Sequence, residues 1–231
     1  MFYPYMDWTM LIVLPGLLLA MLAQFKVNGA FRKYSQMRSR SGLTGAEVAR
    51  RMLDQAGLGS VRVELVRGRL TDHYDPREQV LRLSDEVYAS GSIAALGVAA
   101  HECGHALQHG EGYAPLGMRS AIVPIVGIGS NLSWPLFLLG LVFSWDPLIL
   151  AGIGLFALTV VFTLVTLPVE FNASSRALAA LEGGGYLGGE ELLGARKVLN
   201  AAALTYVASA LSAILQLVRL LVLSGNRRSR D

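Results

Sequence analysis

The residues with the clearest chemical capacity are His101-Glu102-Cys103-Gly104-His105. Histidines four apart on a helix face the same way and can share one zinc ion, and a glutamate beside the first can take a proton from water. The flanking Val98, Ala99, Ala100, Ala106 and Leu107 are uncharged, so the motif sits in buried surroundings. The competing account is a helix whose two histidines and glutamate are merely hydrogen-bonded in a core. Burying that trio without a cation is expensive, which favours metal binding.

A catalytic zinc takes three protein ligands and keeps one open position, so a third ligand is required. His109 shares the helical face, but eight residues from His101 correspond to about 12 Å along the axis, too far for one ion. It also lacks the spacing of the longer three-histidine motif. Glu170, in Leu167-Pro168-Val169-Glu170-Phe171-Asn172-Ala173-Ser174, is the strongest remaining candidate. Two apolar segments separate it from the histidines, and an even number of crossings returns it to their side of a membrane. The alternative is a glutamate that marks a helix end at the interface. Arg176 could stabilise an oxyanion, or serve as a positive anchor at the membrane surface. Asp72, His73 and Asp75 form a further cluster, read first as turn chemistry around Asp75-Pro76. Cys103 points away from both histidines and reads as packing.

The elements that must position these residues follow from hydropathy. Of 231 residues 53% are hydrophobic and 16% charged, far from a soluble domain. Four runs approach the roughly 20 apolar residues of a membrane span: Trp8 to Phe25, Ala121 to Phe143, Leu148 to Leu167 and Ala201 to Leu223. The first reads as a retained anchor, since Asp7 and no basic residue precedes it. The expected organisation is an anchor over 1–25, a catalytic module over 26–119, a transmembrane hairpin over 120–168, a helical segment with the third ligand over 169–200, and a C-terminal transmembrane helix with a basic tail over 201–231. Within the module, Thr44 and Glu47 have capping-box spacing for a helix over about Gly45 to Ala56, closed by Gly57. Val61 to Val66 and Val80 to Leu83 alternate as two strands, and Ser92 caps the helix with the histidines. The strand before that helix is a candidate edge for capturing an extended peptide. Gly183 to Gly185 with Gly188-Gly189 reads as a flexible connector.

Lys26, Arg32, Lys33, Arg38 and Arg40 follow the first span, which places the module in the cytoplasm. Four complete spans would then leave Arg227, Arg228 and Arg230 outside. The fourth segment is the least lipid-like, with Thr205, Ser209, Ser212, Gln216 and Arg219, and is the one free to cross imperfectly. The net charge of +3 sits beside the spans without interleaved aromatics, so nucleic acid is not an expected partner. A single cysteine excludes an internal disulfide.

Through Leu70-Thr71-Asp72-His73-Tyr74-Asp75-Pro76, Ala100 to Gln108 and Leu167 to Ser174, the chain resembles the membrane zinc metallopeptidases of the YugP type, over nearly its whole length. The resemblance implies His101, His105 and Glu170 as zinc ligands and Glu102 as general base. It also implies a mainly α integral membrane protein, with about four transmembrane helices and a zincin-like α+β module containing a small sheet. The chain is distantly similar to membrane gluzincins of the HtpX and CAAX-processing type, which place an aspartate four residues after the ligand glutamate. Here that position is Ser174. The function expected is a zinc-dependent endopeptidase of the bacterial inner membrane, acting on peptides or membrane proteins within a lipid bilayer. The alternative is a zinc-binding scaffold without proteolytic activity. Glu102 separates the two, since a structural site needs no base beside its ligands.

Overall fold

The computed structural model describes residues 8–68 and 71–228; Asp7, Leu70 and Arg230 lie outside them. Among the described residues, four helices are long and apolar enough to cross a membrane: α1 (Met10–Ser35), α5 (Ala114–Val142), α6 (Asp146–Gly183) and α7 (Gly189–Arg228). Between α1 and α5 lie α2 (Gly45–Gln55), β1 (Arg62–Val66), β2 (His73–Asp75), β3 (Val80–Ser84), the single-turn α3 (Asp85–Tyr88) and α4 (Ile93–Gly110). The protein is thus mainly helical, with one small sheet. By contacts the chain divides into two units, residues 1–23, 118–166 and 205–231 in one, and 24–117 and 167–204 in the other.

The first unit is built from apolar helix. On α1, Leu11, Leu17, Leu18 and Met21 are all more than half exposed, an apolar surface that water does not tolerate at this extent but lipid does. Its helices meet at small residues: a Cβ on Gly16 would come within 2.8 Å of Ser212, and one on Gly152 within 2.7 Å of the Ser133 carbonyl. Such contacts let backbones approach where no hydrophobic force drives association. Phe137, Ile149 and Leu220 form a buried cluster, and the Arg219 guanidinium donates to the Thr9 hydroxyl at 3.1 Å.

The second unit packs α2, α4 and the sheet around one apolar core that includes Leu53, Leu81, Leu83, Leu96, Cys103, Leu181 and Leu199. α2 begins where its sequence predicts. The Thr44 hydroxyl accepts from the Glu47 amide at 3.3 Å, and the Glu47 carboxylate accepts from the Thr44 amide at 2.8 Å. Gly57, just past the helix, stands at φ +73°, a conformation that costs glycine little.

The sheet differs from the sequence expectation in two ways. It has three strands in the order β1-β3-β2, with β3 parallel to β1 and antiparallel to β2. β2 spans three residues, too few to show an alternation, and the turn chemistry at Asp75 masks it. The strand before α4 is β3, which lies in the centre; the edges are β1 and β2. Arg82 on β3 ties all three, 3.6 Å from Glu64 on β1 and 3.7 Å from Asp75 on β2.

The glycines between α6 and α7 form a packed turn in place of the expected flexible connector. Tyr186 and Leu187 are buried, and both of their amides donate to the Leu181 carbonyl. Replacing Thr44 with alanine removes the cap of α2. We expect a loss of about 1 kcal/mol of stability, read from thermal unfolding of the detergent-solubilised protein.

Candidate metal centre

α4 starts at Ser92, whose hydroxyl accepts from the Ala95 amide at 3.2 Å, and runs through the core with small residues on nearly every side. Two of its glycines admit neighbouring helices. A Cβ on Gly104 would fall 2.5 Å from the Ala173 carbonyl on α6, whereas one on Gly97 would meet the Ala195 methyl on α7 at an ordinary 3.4 Å. The tight approach at Gly104 carries the stretch of α6 around Ala173 onto the histidine face of α4.

There His101, His105 and Glu170 converge, their ligand atoms all within 4.8 Å of one another. Glu170 Oε2 lies 3.2 Å from His101 Nε2 and 3.6 Å from His105 Nε2. The imidazole rings stand edge to face, 4.8 Å apart. Glu170 is only 2% exposed, so its charge is out of water among three groups that could bind one cation.

The other ring nitrogens are engaged as well. His101 Nδ1 lies 3.1 Å from the Ser174 hydroxyl. His105 Nδ1 lies 3.0 Å from Gln108 Oε1. Gln108 is fully buried, and its amide nitrogen donates to the Val169 carbonyl at 2.8 Å and to Asn172 Oδ1 at 2.9 Å. Burial acts to lower the basicity of His105; hydrogen bonding to Glu170, the Glu102 and Glu170 charges and Gln108 outweigh it and raise its pKa above the ordinary value.

Glu102 is buried beside His101, and its carboxylate accepts the backbone N–H of Tyr74 at 3.1 Å. Tyr74 lies on the edge strand β2, so the margin of the sheet that β3 leaves free turns toward Glu102. The Tyr74 hydroxyl lies 2.8 Å from His109 Nδ1, and His109 is exposed.

Among the remaining candidates, the Asp72 carboxylate accepts from the Ser84 amide and hydroxyl at 2.7 and 3.0 Å. Burial raises its pKa against those bonds, and the Glu102 charge adds to the rise. Asp75 accepts from the amides of Arg77 and Glu78 in a turn. Arg176 donates through Nε to Asn172 at 2.7 Å and through Nη1 to Glu111 at 2.7 Å. Cys103 is fully buried, with its thiol toward the Ala49 carbonyl and its pKa pushed up by burial.

A family model described as "Putative neutral zinc metallopeptidase" matches residues 9–225. The chain belongs to that family. It is also 50% identical to the "Putative membrane protease YugP" of Bacillus subtilis (strain 168) over 220 residues, which cover 95% of this chain and 98% of the relative. No solved structure matches it.

The residues present suit the metal of a zinc metallopeptidase family. Two imidazole nitrogens and a carboxylate oxygen are a common set of zinc donors. What sequence alone gave no role is the polar surround: Tyr74, Gln108 and Asn172 lie within the stretches that carry the resemblance, but only the helix spacing of Gln108 three residues after His105 hints at a contact.

Gly104→Ala is expected to force α4 and α6 apart and to cost about 1–3 kcal/mol, as for overpacking. Gly97→Ala, with ordinary contacts, should melt near the wild-type temperature. Equal melting of the two variants would show that the close approach is not required.

Proposed function

We propose that the chain is a membrane-bound endopeptidase that hydrolyses peptide bonds with one zinc ion held by His101, His105 and Glu170. The observation that carries this reading is the convergence of the three donor atoms within 4.8 Å, with Glu102 adjacent on the same helix. Zinc bound there supplies Lewis acidity, lowering the pKa of the attacking water and polarising the scissile carbonyl.

The chain's own groups do the rest. Glu102 takes the proton from the water and delivers it to the leaving amine. The Tyr74 N–H holds one oxygen of that carboxylate, so the base is oriented before substrate arrives. An extended peptide adding along the edge of β2 would lie beside Glu102, a mode of capture in which main-chain hydrogen bonds give affinity. Arg176 is the candidate for stabilising the oxyanion through the N–H groups that Asn172 and Glu111 do not take.

We assign the sheet and α4 to the cytoplasmic side of a bacterial inner membrane, on the strength of the basic residues 26–40 and the absence of any at the Ser144–Trp145 turn. On this reading α7 is the C-terminal span.

Purified protein should hold about one zinc per chain. The metal is expected to be lost in His101→Ala and His105→Ala and weakened in Glu170→Ala, as read by elemental analysis after dialysis. Unchanged content in Glu170→Ala would remove it from the ligand set.

Glu102→Gln should keep zinc while peptidase activity falls at least ~100-fold, because the amide preserves shape but is not a base. Full activity in that variant would contradict the mechanism.

For orientation, single cysteines at the exposed Gln36 and Ser144 in a Cys103→Ala background can be probed in intact cells with a membrane-impermeant thiol reagent. Labelling is expected at Ser144 and protection at Gln36; the reverse pattern overturns the assignment.

A further inference from the structure

We propose that Arg176, Asn172 and Gln108 form a directed hydrogen-bond relay that fixes which ring nitrogen of His105 faces the metal. The inference rests on the metallopeptidase reading above and adds positioning residues to it.

The direction follows from donor and acceptor types. A guanidinium only donates, so the Asn172 atom 2.7 Å from Arg176 Nε is the amide oxygen. Gln108 meets that same oxygen at 2.9 Å and the Val169 carbonyl at 2.8 Å. Both are acceptors, so the group facing them is the Gln108 NH2, with its two protons committed. A flipped amide would set oxygen against oxygen at both contacts, in a buried place where an unpaired acceptor costs about 1–3 kcal/mol.

Gln108 Oε1 therefore faces His105 Nδ1, at 3.0 Å. An amide oxygen accepts and never donates, so Nδ1 carries the proton of the neutral ring. The lone pair is left on Nε2, the nitrogen 3.6 Å from Glu170 and within the cluster of ligand atoms. Glu111 anchors the far end of the relay by its ion pair with Arg176.

His101 has no such control. The Ser174 hydroxyl beside its Nδ1 can donate or accept, so this contact selects no tautomer, and without metal the Glu170 carboxylate 3.2 Å from Nε2 is the contact that bears on it. The two histidines are thus held by partners of different kinds, and only His105 is preset.

The test compares zinc affinity, by chelator competition on the full-length protein in detergent, for wild type, Gln108→Leu, Asn172→Leu and Asn172→Asp. Melting of the metal-free forms serves as the folding control. Both leucine variants are expected to bind zinc ~10–100-fold more weakly, the usual effect of losing a group that orients a metal-bound histidine. Asn172→Asp keeps an acceptor beneath Arg176 and Gln108 and should bind like wild type, a rescue that loss of packing alone would not give.

Wild-type affinity in both leucine variants overturns the relay, as does an Asn172→Asp variant as weak as Asn172→Leu. Should Gln108→Leu fail to fold, the Asn172 pair decides, together with ring 15N shifts of histidine in zinc-loaded wild type. Those shifts should show His105 protonated on Nδ1, and metal on Nδ1 would overturn the relay. A wild type that binds no zinc would instead sink the metal site itself.

Discussion

The site depends on one close approach, the backbone of α6 at Ala173 against Gly104 of α4. Helix axes normally stand 8–10 Å apart, and the side chains at the contact set the distance. With no Cβ on Gly104, α6 comes near enough for a short carboxylate side chain, Glu170, to reach two histidine nitrogens 69 and 65 residues away in sequence. A larger residue at 104 would hold the helices apart and leave Glu170 buried without the imidazoles that now share its charge.

Around that contact the helical repeat sorts the polar residues. On α4, His101, His105 and Gln108 form one stripe at i, i+4 and i+7, with Gly104 inside it. On α6, Glu170 and Ser174 are four apart and meet the Nε2 and Nδ1 sides of His101, respectively. Asn172 and Arg176 are likewise four apart on the adjoining stripe, where Asn172 accepts from both Gln108 and Arg176. The polar side chains brought together by this packing find counterparts on the facing helix, on their own helix or on β2, which is what makes burial of so many of them tolerable.

This division also explains what could be read in the sequence. The capping box of α2, the Ser92 cap of α4, the apolar runs and the histidine spacing are local signals, and each depends on residues within a few positions of one another. The proximity of Glu170 to the histidines was reachable because it stands just past the third apolar run and an even number of crossings returns it to their side. The strand β2 was not, since three residues carry no periodicity and Asp75 has the features of a turn. Gln108 and Asn172 were not legible either. A glutamine three residues past a histidine has no assigned partner until the helix that faces it is known, and Asn172 acquires its role only from Arg176 and Gln108 together.

Arg176 shows how geometry reshapes a role assigned by charge alone. A cation near a metal centre suggests a partner for an oxyanion, yet two of its nitrogens already donate, at 2.7 Å each, to Asn172 and Glu111. Its side chain also lies over the Tyr113 ring, 5.9 Å from the centroid. A guanidinium held on two sides and backed by an aromatic ring has little freedom to move toward a substrate. Any transition-state contact must use its remaining N–H groups from where it stands. Its contribution through Asn172 needs no movement, because the bonds already made determine the direction of the Gln108 amide. The two roles are compatible, and they are separable: the oxyanion role acts only in the transition state, whereas the relay acts on the ground state of the metal site.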